Sequence, residues 1–381
     1  MNYRTKIHNL NSNTDIVKIP DDGVFYALSE FIDNSNNKLF CHIVADELRM
    51  KNLQIQMNFF NPDLEVLTFG AWDCTPYDKS SPKPDIIANR IETLFYLKNK
   101  IHKKTLVIST INSVIQKNIP ISESVDSGFI FKKDDEVNLS KIIEILVNNG
   151  YNRSPVADNV GEFAVRGGII DIINCDQESK NVSGYRLDLF GDNLESIRVF
   201  DPLTQISENE VDKIKILPTK EIILNNKSIS NFKKNYRNLF GIAKDDLIYD
   251  EVISGRNIIG LEHFMPLFFD DELSNIFDYL KINNAIISVE NKIEEKSIER
   301  LNEIEQYYQA RLQTIKESKL NGSVYNPIPK DKLYLSKVIL NQYLRDNILI
   351  RFDNFENRYF QRSLDLDFKL TPNFFLASKS N

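Results

Sequence analysis

The side chains able to do chemistry are few in this chain, and they stand apart. Four histidines (His8, His42, His102, His263) and three cysteines (Cys41, Cys74, Cys175) are scattered along 381 residues. None stands at ligand spacing from another, so neither a zinc site nor a disulfide framework is legible. Nucleotide hydrolysis on an α/β scaffold needs a G-x-x-x-x-G-K-[ST] turn, whose backbone N–H groups wrap the phosphates while the Lys and hydroxyl hold charge and Mg²⁺. No Gly-Lys dipeptide occurs. The run FMPLFFDDE (264–272) ends in Asp270 and Asp271; with no phosphate loop to complete, these carboxylates read as a turn after a buried stretch. A G-x-S-x-G elbow, an H-E-x-x-H helix and a Rossmann glycine triplet are likewise absent from the sequence. The expectation is a chain with no catalytic residue, metal or cofactor of its own.

Recognition is more legible than catalysis. In GEFAVRGGIIDIIN (161–174) the two-residue period of a strand puts Phe163 and Val165 on one face and Ala164 and Arg166 on the other. In YRLDLFGDNLESIRVFDPLTQ (185–205) it puts Tyr185, Leu187 and Leu189 inside and Arg186, Asp188 and Phe190 outside. Exposed Arg, carboxylate and Phe in alternation suit a protein interface, because guanidinium makes forked contacts and the ring buries a large area. A solvated sheet face shows the same alternation.

The elements that must position these residues follow from periodicity. Helix-like VFYALSEFI, strand-like KLFCHIVA, a helix over 46–60, LEVLTF, the helical DIIANRIETLFYL and TLVIST alternate up to residue 110, which predicts a parallel sheet of α/β type. From 121 the pattern becomes one helix, LSKIIEILVNNGY with Gly150 at its end, followed by closely spaced strands, the mark of a small α+β unit. Apolar positions Ile298, Leu301, Ile304, Tyr308, Leu312 and Ile315 predict a long core-packed helix over 294–319. The stretch from Phe352 onward reads as a linker.

Composition bounds the class. With 42% apolar and 27% charged residues the chain folds, and its length predicts two or three domains. No stretch approaches a membrane span and the polar start lacks an apolar signal segment, so a soluble protein of a reducing cytoplasm is expected. The net charge of −7 argues against a nucleic-acid coat. Between 121 and 205 there are 15 acidic and 8 basic residues, so the excess of negative charge resides in the α+β unit and favours a protein partner.

The two strand segments together resemble the signature G-E-F-x-x-R-G-G-I-x-D-I and Y-R-x-D/E-x-F-G-D-x-x-E-S-I-R-x-F-D-x-x-T-Q shared by the excinuclease subunit UvrB and the bacterial transcription-repair coupling factors. FGAWDCTPYDKSSPKPDIIANRIETLFYL (69–97) and GLEHFMPLFF (260–269) are similar to the coupling-factor side of that pair. UvrB would carry a phosphate loop where this chain reads GVFYAL, and a tyrosine-rich hairpin where residues 73–84 hold only Tyr77. The resemblance covers roughly 18–350. It implies a degenerate RecA-like α/β domain made of two chain segments (18–120 and 204–350), with an α+β domain (121–203) inserted between them. A tail over 1–17 and a linker over 351–381 complete this division. It further implies that the insert binds UvrA through Arg153, Arg166, Arg186, Asp188 and Phe190, where the UvrB pattern has an Arg in place of Ala164. RNA polymerase and DNA would be reached only indirectly, since full-length relatives place polymerase binding and an ATP- and Mg-dependent helicase-like motor in further domains. The resemblance therefore predicts an adaptor without enzymatic activity of its own; the alternative is an ATPase or DNA-binding component acting with a separate motor chain.

Overall fold

The computed structural model describes residues 13–367, apart from residue 100 and segments 125–127, 177–180, 243–245 and 319–324. Seven strands form a wholly parallel sheet: β1 (Thr14–Val17), β2 (Leu39–Val44), β3 (Glu65–Phe69), β4 (Thr105–Thr110), β13 (Ile286–Val289), β14 (Ile348–Phe352) and β15 (Arg362–Asp365), in the order β15-β1-β14-β13-β2-β4-β3. The central strands LFCHIV and TLVIST are buried at every position, because helices cover both faces of a parallel sheet and leave no side for water. Helix Val24–Asn34 and helix Glu47–Phe60 cover one face; helices including Pro84–Lys98 and Ile276–Ile282 pack the other. Local chemistry sets their starts: the Asp46 carboxylate accepts from Arg49 N at 2.9 Å, and Pro84 opens the helix that it begins.

The α/β architecture with an inserted α+β unit follows the sequence expectation, and its edges differ. Thr14–Val17 is a buried strand, so the sheet starts inside the expected tail. The expected linker supplies the end of β14 and all of β15, which pairs with β1; its short alternation, RSLD, is too brief to show a period. Residues 1–12 and 368–381 of these stretches lie outside the described residues. Helix Ile293–Ser318 is present, but its apolar stripe is only partly core: Ile304 is buried and Ile298 is 43% exposed. The first four residues of the FMPLFF run lie in a 3-10 helix, Leu261–Leu267, and Asp271 accepts from Ser122 Oγ in the bend that follows.

Between the two segments of the parallel sheet lies the inserted unit. β5 (Phe129–Lys132) enters and pairs antiparallel with β12 (Lys213–Ile216), which leaves. The remaining strands form a six-stranded sheet in the order β11-β10-β9-β8-β7-β6: β6 (Asn152–Arg153), β7 (Glu162–Arg166), β8 (Ile169–Asp176), β9 (Asn181–Phe190), β10 (Asn193–Phe200) and β11 (Ser207–Glu210). The unit therefore closes at 216, beyond the expected boundary of 203, because its exit strand zips onto its entry strand. Helix Leu139–Asn148 packs its apolar face on one side of this sheet and ends at Asn149, with Gly150 at φ +87° as the sequence predicts.

Where the chain returns to the parallel sheet, one buried cation ties the junction together. Arg90 is wholly buried; its Nε donates to Glu221 Oε1 at 3.0 Å, its Nη1 to Gly70 O at 2.7 Å and its Nη2 to Asn118 Oδ1 at 2.7 Å. The second oxygen of Glu221 accepts from Trp72 Nε1 at 2.9 Å, and the guanidinium stacks 4.5 Å from the Phe69 ring centroid. The charges are matched and each of the three guanidinium nitrogens donates a hydrogen bond, which is the condition under which a buried pair is tolerated. Glu221→Ala leaves Arg90 buried and unpaired; urea unfolding should show a loss of ~3–5 kcal/mol.

Candidate protein-binding face of the inserted unit

Alternation along β7 to β10 gives the inserted sheet two unlike faces. Phe163, Ile170, Ile172, Tyr185, Leu187, Leu189 and Ile197 are buried in the core under helix Leu139–Asn148. The opposite face is divided by register. In one row Ala164, Asp171, Arg186 and Arg198 stand side by side; in the next come Arg166, Ile169, Asp188 and Ser196. Phe190 stands one step further along β9, beside the turn at Gly191. That turn and the one at Gly167 take φ +63° and +62°, which glycine adopts without a Cβ penalty.

The part of this face nearest the parallel-sheet unit is covered. Ala164, Ile173 and Phe200 form a buried cluster with Val160, Ala157 and Ala88, the last on helix Pro84–Lys98. Gly184 makes room there, since a Cβ on it would fall 2.4 Å from the Phe200 ring. A long side chain at 164 has nowhere to go, which accounts physically for alanine at that position.

The five residues expected to bind a partner are not equivalent in the structure. Arg166 and Phe190 stand free at the hairpin end: Phe190 is 76% exposed, and Arg166 has no ion-pair partner among the described residues. Asp188 is half-buried beside them and accepts from Arg198 Nη2 at 3.0 Å. Arg186, expected to point freely outward, is instead held: its Nε and Nη2 fork onto the Asp171 carboxylate at 2.7 and 3.0 Å, its Nη1 donates to Ser207 Oγ at 3.1 Å, and its carbon centre lies 4.8 Å from the Phe200 ring centroid. The reason is register, which places Asp171 directly opposite it. Arg153 is exposed on edge strand β6 but pairs with Phe163, in the row of core-facing Ile172 and Tyr185, so it stands apart from Arg166 and Phe190. Sequence reasoning missed Asp171, Arg198 and Phe200 as supports; all three lie in the singled-out segments, but their roles depend on cross-strand register.

A second constellation imitates chemistry. His42 Nδ1 lies 2.8 Å from Ser288 Oγ and its Nε2 lies 3.3 Å from Glu290 Oε1, the order of a hydrolase triad. All three are buried, Ser288 Oγ also bonds Cys41 O, and Arg49 forks onto Glu290 at 2.6 to 3.0 Å, so the carboxylate is spent on a structural pair and the hydroxyl has no open side. Cys74 Sγ lies 3.8 Å from His263 Nε2, but burial pushes the thiol up to about 12 and the imidazole down to about 4, which leaves a neutral contact instead of a thiolate–imidazolium pair. No cluster of three metal-ligating side chains occurs among the described residues, and no helix there is long and apolar enough to cross a membrane.

Comparison with known proteins identifies this arrangement. Residues 129–222, from the entry strand of the inserted unit past its exit, match the family described as the UvrB interaction domain. Over 337 residues the chain is 35% identical to the transcription-repair-coupling factor of Rickettsia bellii, covering 87% of this chain and 29% of that protein. The same factor of Haemophilus influenzae is 30% identical over 76% of the chain, and that of Escherichia coli 30% identical over 59%. Over most of its length the chain is thus similar to the transcription-repair-coupling factors, and its inserted unit matches the UvrB interaction domain. The chain spans about 29% of the length of the Rickettsia relatives it matches.

Two outcomes test this reading of the site. Ala164→Arg forces a charge between the inserted sheet and Ala88, and chemical denaturation should show a loss of about 3 kcal/mol or more. Burial alone would raise the pKa of Glu290, but its bonds to His42 and Arg49 outweigh this and hold it below the ordinary 4.5. Its contribution to stability is therefore full above pH 4.5 and lost as pH falls through the depressed value; Glu290→Gln should flatten that limb of a pH-dependent melting curve.

Proposed function

We propose that this chain is an adaptor: the inserted unit binds UvrA, and through it brings nucleotide excision repair to RNA polymerase stalled at DNA lesions. The observation that carries the proposal is the uncovered hairpin end of the inserted sheet, where Arg166 and Phe190 are exposed and Asp188 is half-buried, while the part of the same face around Ala164 and Phe200 is sealed against Ala88. Exposed Arg and an aromatic ring beside a paired Asp and Arg supply the anchors that dominate protein interfaces. The family description of residues 129–222 supports the same reading.

The α/β unit acts in this proposal as a rigid mount with no ATPase motor. The turn after β1, where a phosphate loop would sit, carries Asp21 and Asp22 ahead of helix Val24–Asn34, and Asp21 O accepts from Arg49 Nη2 at 2.9 Å. Carboxylates there oppose an anionic phosphate. Tyr77, in the loop where a UvrB would extend a DNA-gripping hairpin, is wholly buried against Tyr308 and Tyr334. ATP, Mg²⁺, DNA and the polymerase would engage other parts of a longer coupling factor.

The test is calorimetry with purified UvrA. The wild-type chain should bind, and Phe190→Ala and Arg166→Glu should each weaken binding at least about tenfold with unchanged melting, as hot-spot losses do. Absence of binding at micromolar concentration by the wild-type chain would sink the proposal. Arg186→Glu is a poorer probe, because it also breaks the internal pair with Asp171. Saturable binding of a fluorescent ATP analogue by this chain alone would favour the enzymatic alternative.

A further inference from the structure

A cleft of about 240 Å³ lies where the inserted unit meets the parallel-sheet unit, on a different part of the insert from the hairpin end. Pro84, Ile87, Ile259 and Leu261 wall it from one unit, and Val160 and the Gly150 backbone from the other. Its lining is apolar except at Lys220, Glu262, Ser81 and two rim asparagines, Asn152 and Asn257, together with Thr219.

Lys220 is the feature that the fold itself does not explain. Its stem lies on Gly150, where a Cβ would fall 2.9 Å from Lys220 Cγ and where φ is +87°. Its ammonium has neither a hydrogen bond nor an ion pair among the described residues, and burial lowers its pKa from the ordinary 10.5. The acid facing the same cleft does not supply the missing partner. Glu262 accepts from Ser81 Oγ at 2.7 Å and burial disfavours its charged form; its charge acts on Lys220 only at a distance, without a contact ion pair, and does not offset the burial of the ammonium. A partly buried cation without a contacting counter-ion is costly to keep, and an anion entering the cleft lowers that cost.

We propose that this cleft binds a carboxylate carried on a short apolar stem, with Lys220 as counter-ion and Val160, Ile259 and Leu261 around the stem. The space suits a group of this size and the walls exclude a heavily hydrated anion. Two sources share the chemistry, a free short-chain carboxylate and the C-terminal carboxylate of an apolar peptide. Because the walls belong to both units, an occupant clamps them together and raises the melting temperature by mass action.

Calorimetry on the whole chain with hexanoate and with N-acetyl-Leu-Leu separates the two sources. Saturable binding of either, with hexylamine and hexanol at least about tenfold weaker, is the expected result, and the tighter probe names the source. Lys220→Met keeps the apolar stem and should weaken binding at least about tenfold. Should that variant fold poorly, Ile259→Asp on the 75% exposed wall leaves the core alone and should weaken it similarly by repulsion. Saturation by neither probe up to about 10 mM, or equal affinity for hexylamine, or retention of full affinity in both variants, overturns the proposal.

Discussion

The Arg90–Glu221 pair is the constraint on which the rest of the molecule depends. A chain that leaves a parallel sheet to build a second unit must return in register, and loop-closure entropy alone does not fix the angle of return. Here the first residues after the excursion meet a guanidinium already anchored on Gly70, Asn118 and the Phe69 ring. Because the cation is wholly buried, any other placement of Glu221 would leave a charge unmatched in low dielectric. The pair thus selects one seating of the inserted unit among many that hydrophobic contact alone would allow.

That seating decides which part of the inserted sheet is free. Small residues, Ala88 on one side and Ala157 and Ala164 on the other, let helix Pro84–Lys98 approach the sheet closely and seal its lower half. The upper half keeps Arg166 and Phe190 in solvent. Arg186 belongs to the boundary between the two: through Asp171, Ser207 and the Phe200 ring it joins β8, β9, β10 and β11, so its effect on a partner would come partly through the shape of the face.

Parallel-sheet folds generally present ligands at the carboxyl ends of their strands. In this chain Arg49 crosses part of that region, spanning the Asp21 backbone oxygen and the Glu290 carboxylate.

Much was determined by sequence alone. The alternation of strand-like runs such as KLFCHIVA and TLVIST with helical ones predicted a parallel sheet of α/β type, because parallel strands need helical crossovers between them. Two-residue alternation separated Tyr185, Leu187 and Leu189 from Arg186, Asp188 and Phe190, because a strand side chain has only two directions to point. The segments 161–174 and 185–205 likewise pointed to the relatives that the comparisons find. Tertiary structure decided the remainder. Periodicity says which face a residue occupies and is silent about what stands across from it, so the engagement of Arg186 by Asp171 and the isolation of Arg153 emerge only once register is fixed. Strand β15 and the exit strand β12 are four residues long, too short for a period, and exist because β1 and β5 present open edges to pair with. The meeting of Arg90 and Glu221 across 131 positions could come from the folded chain alone.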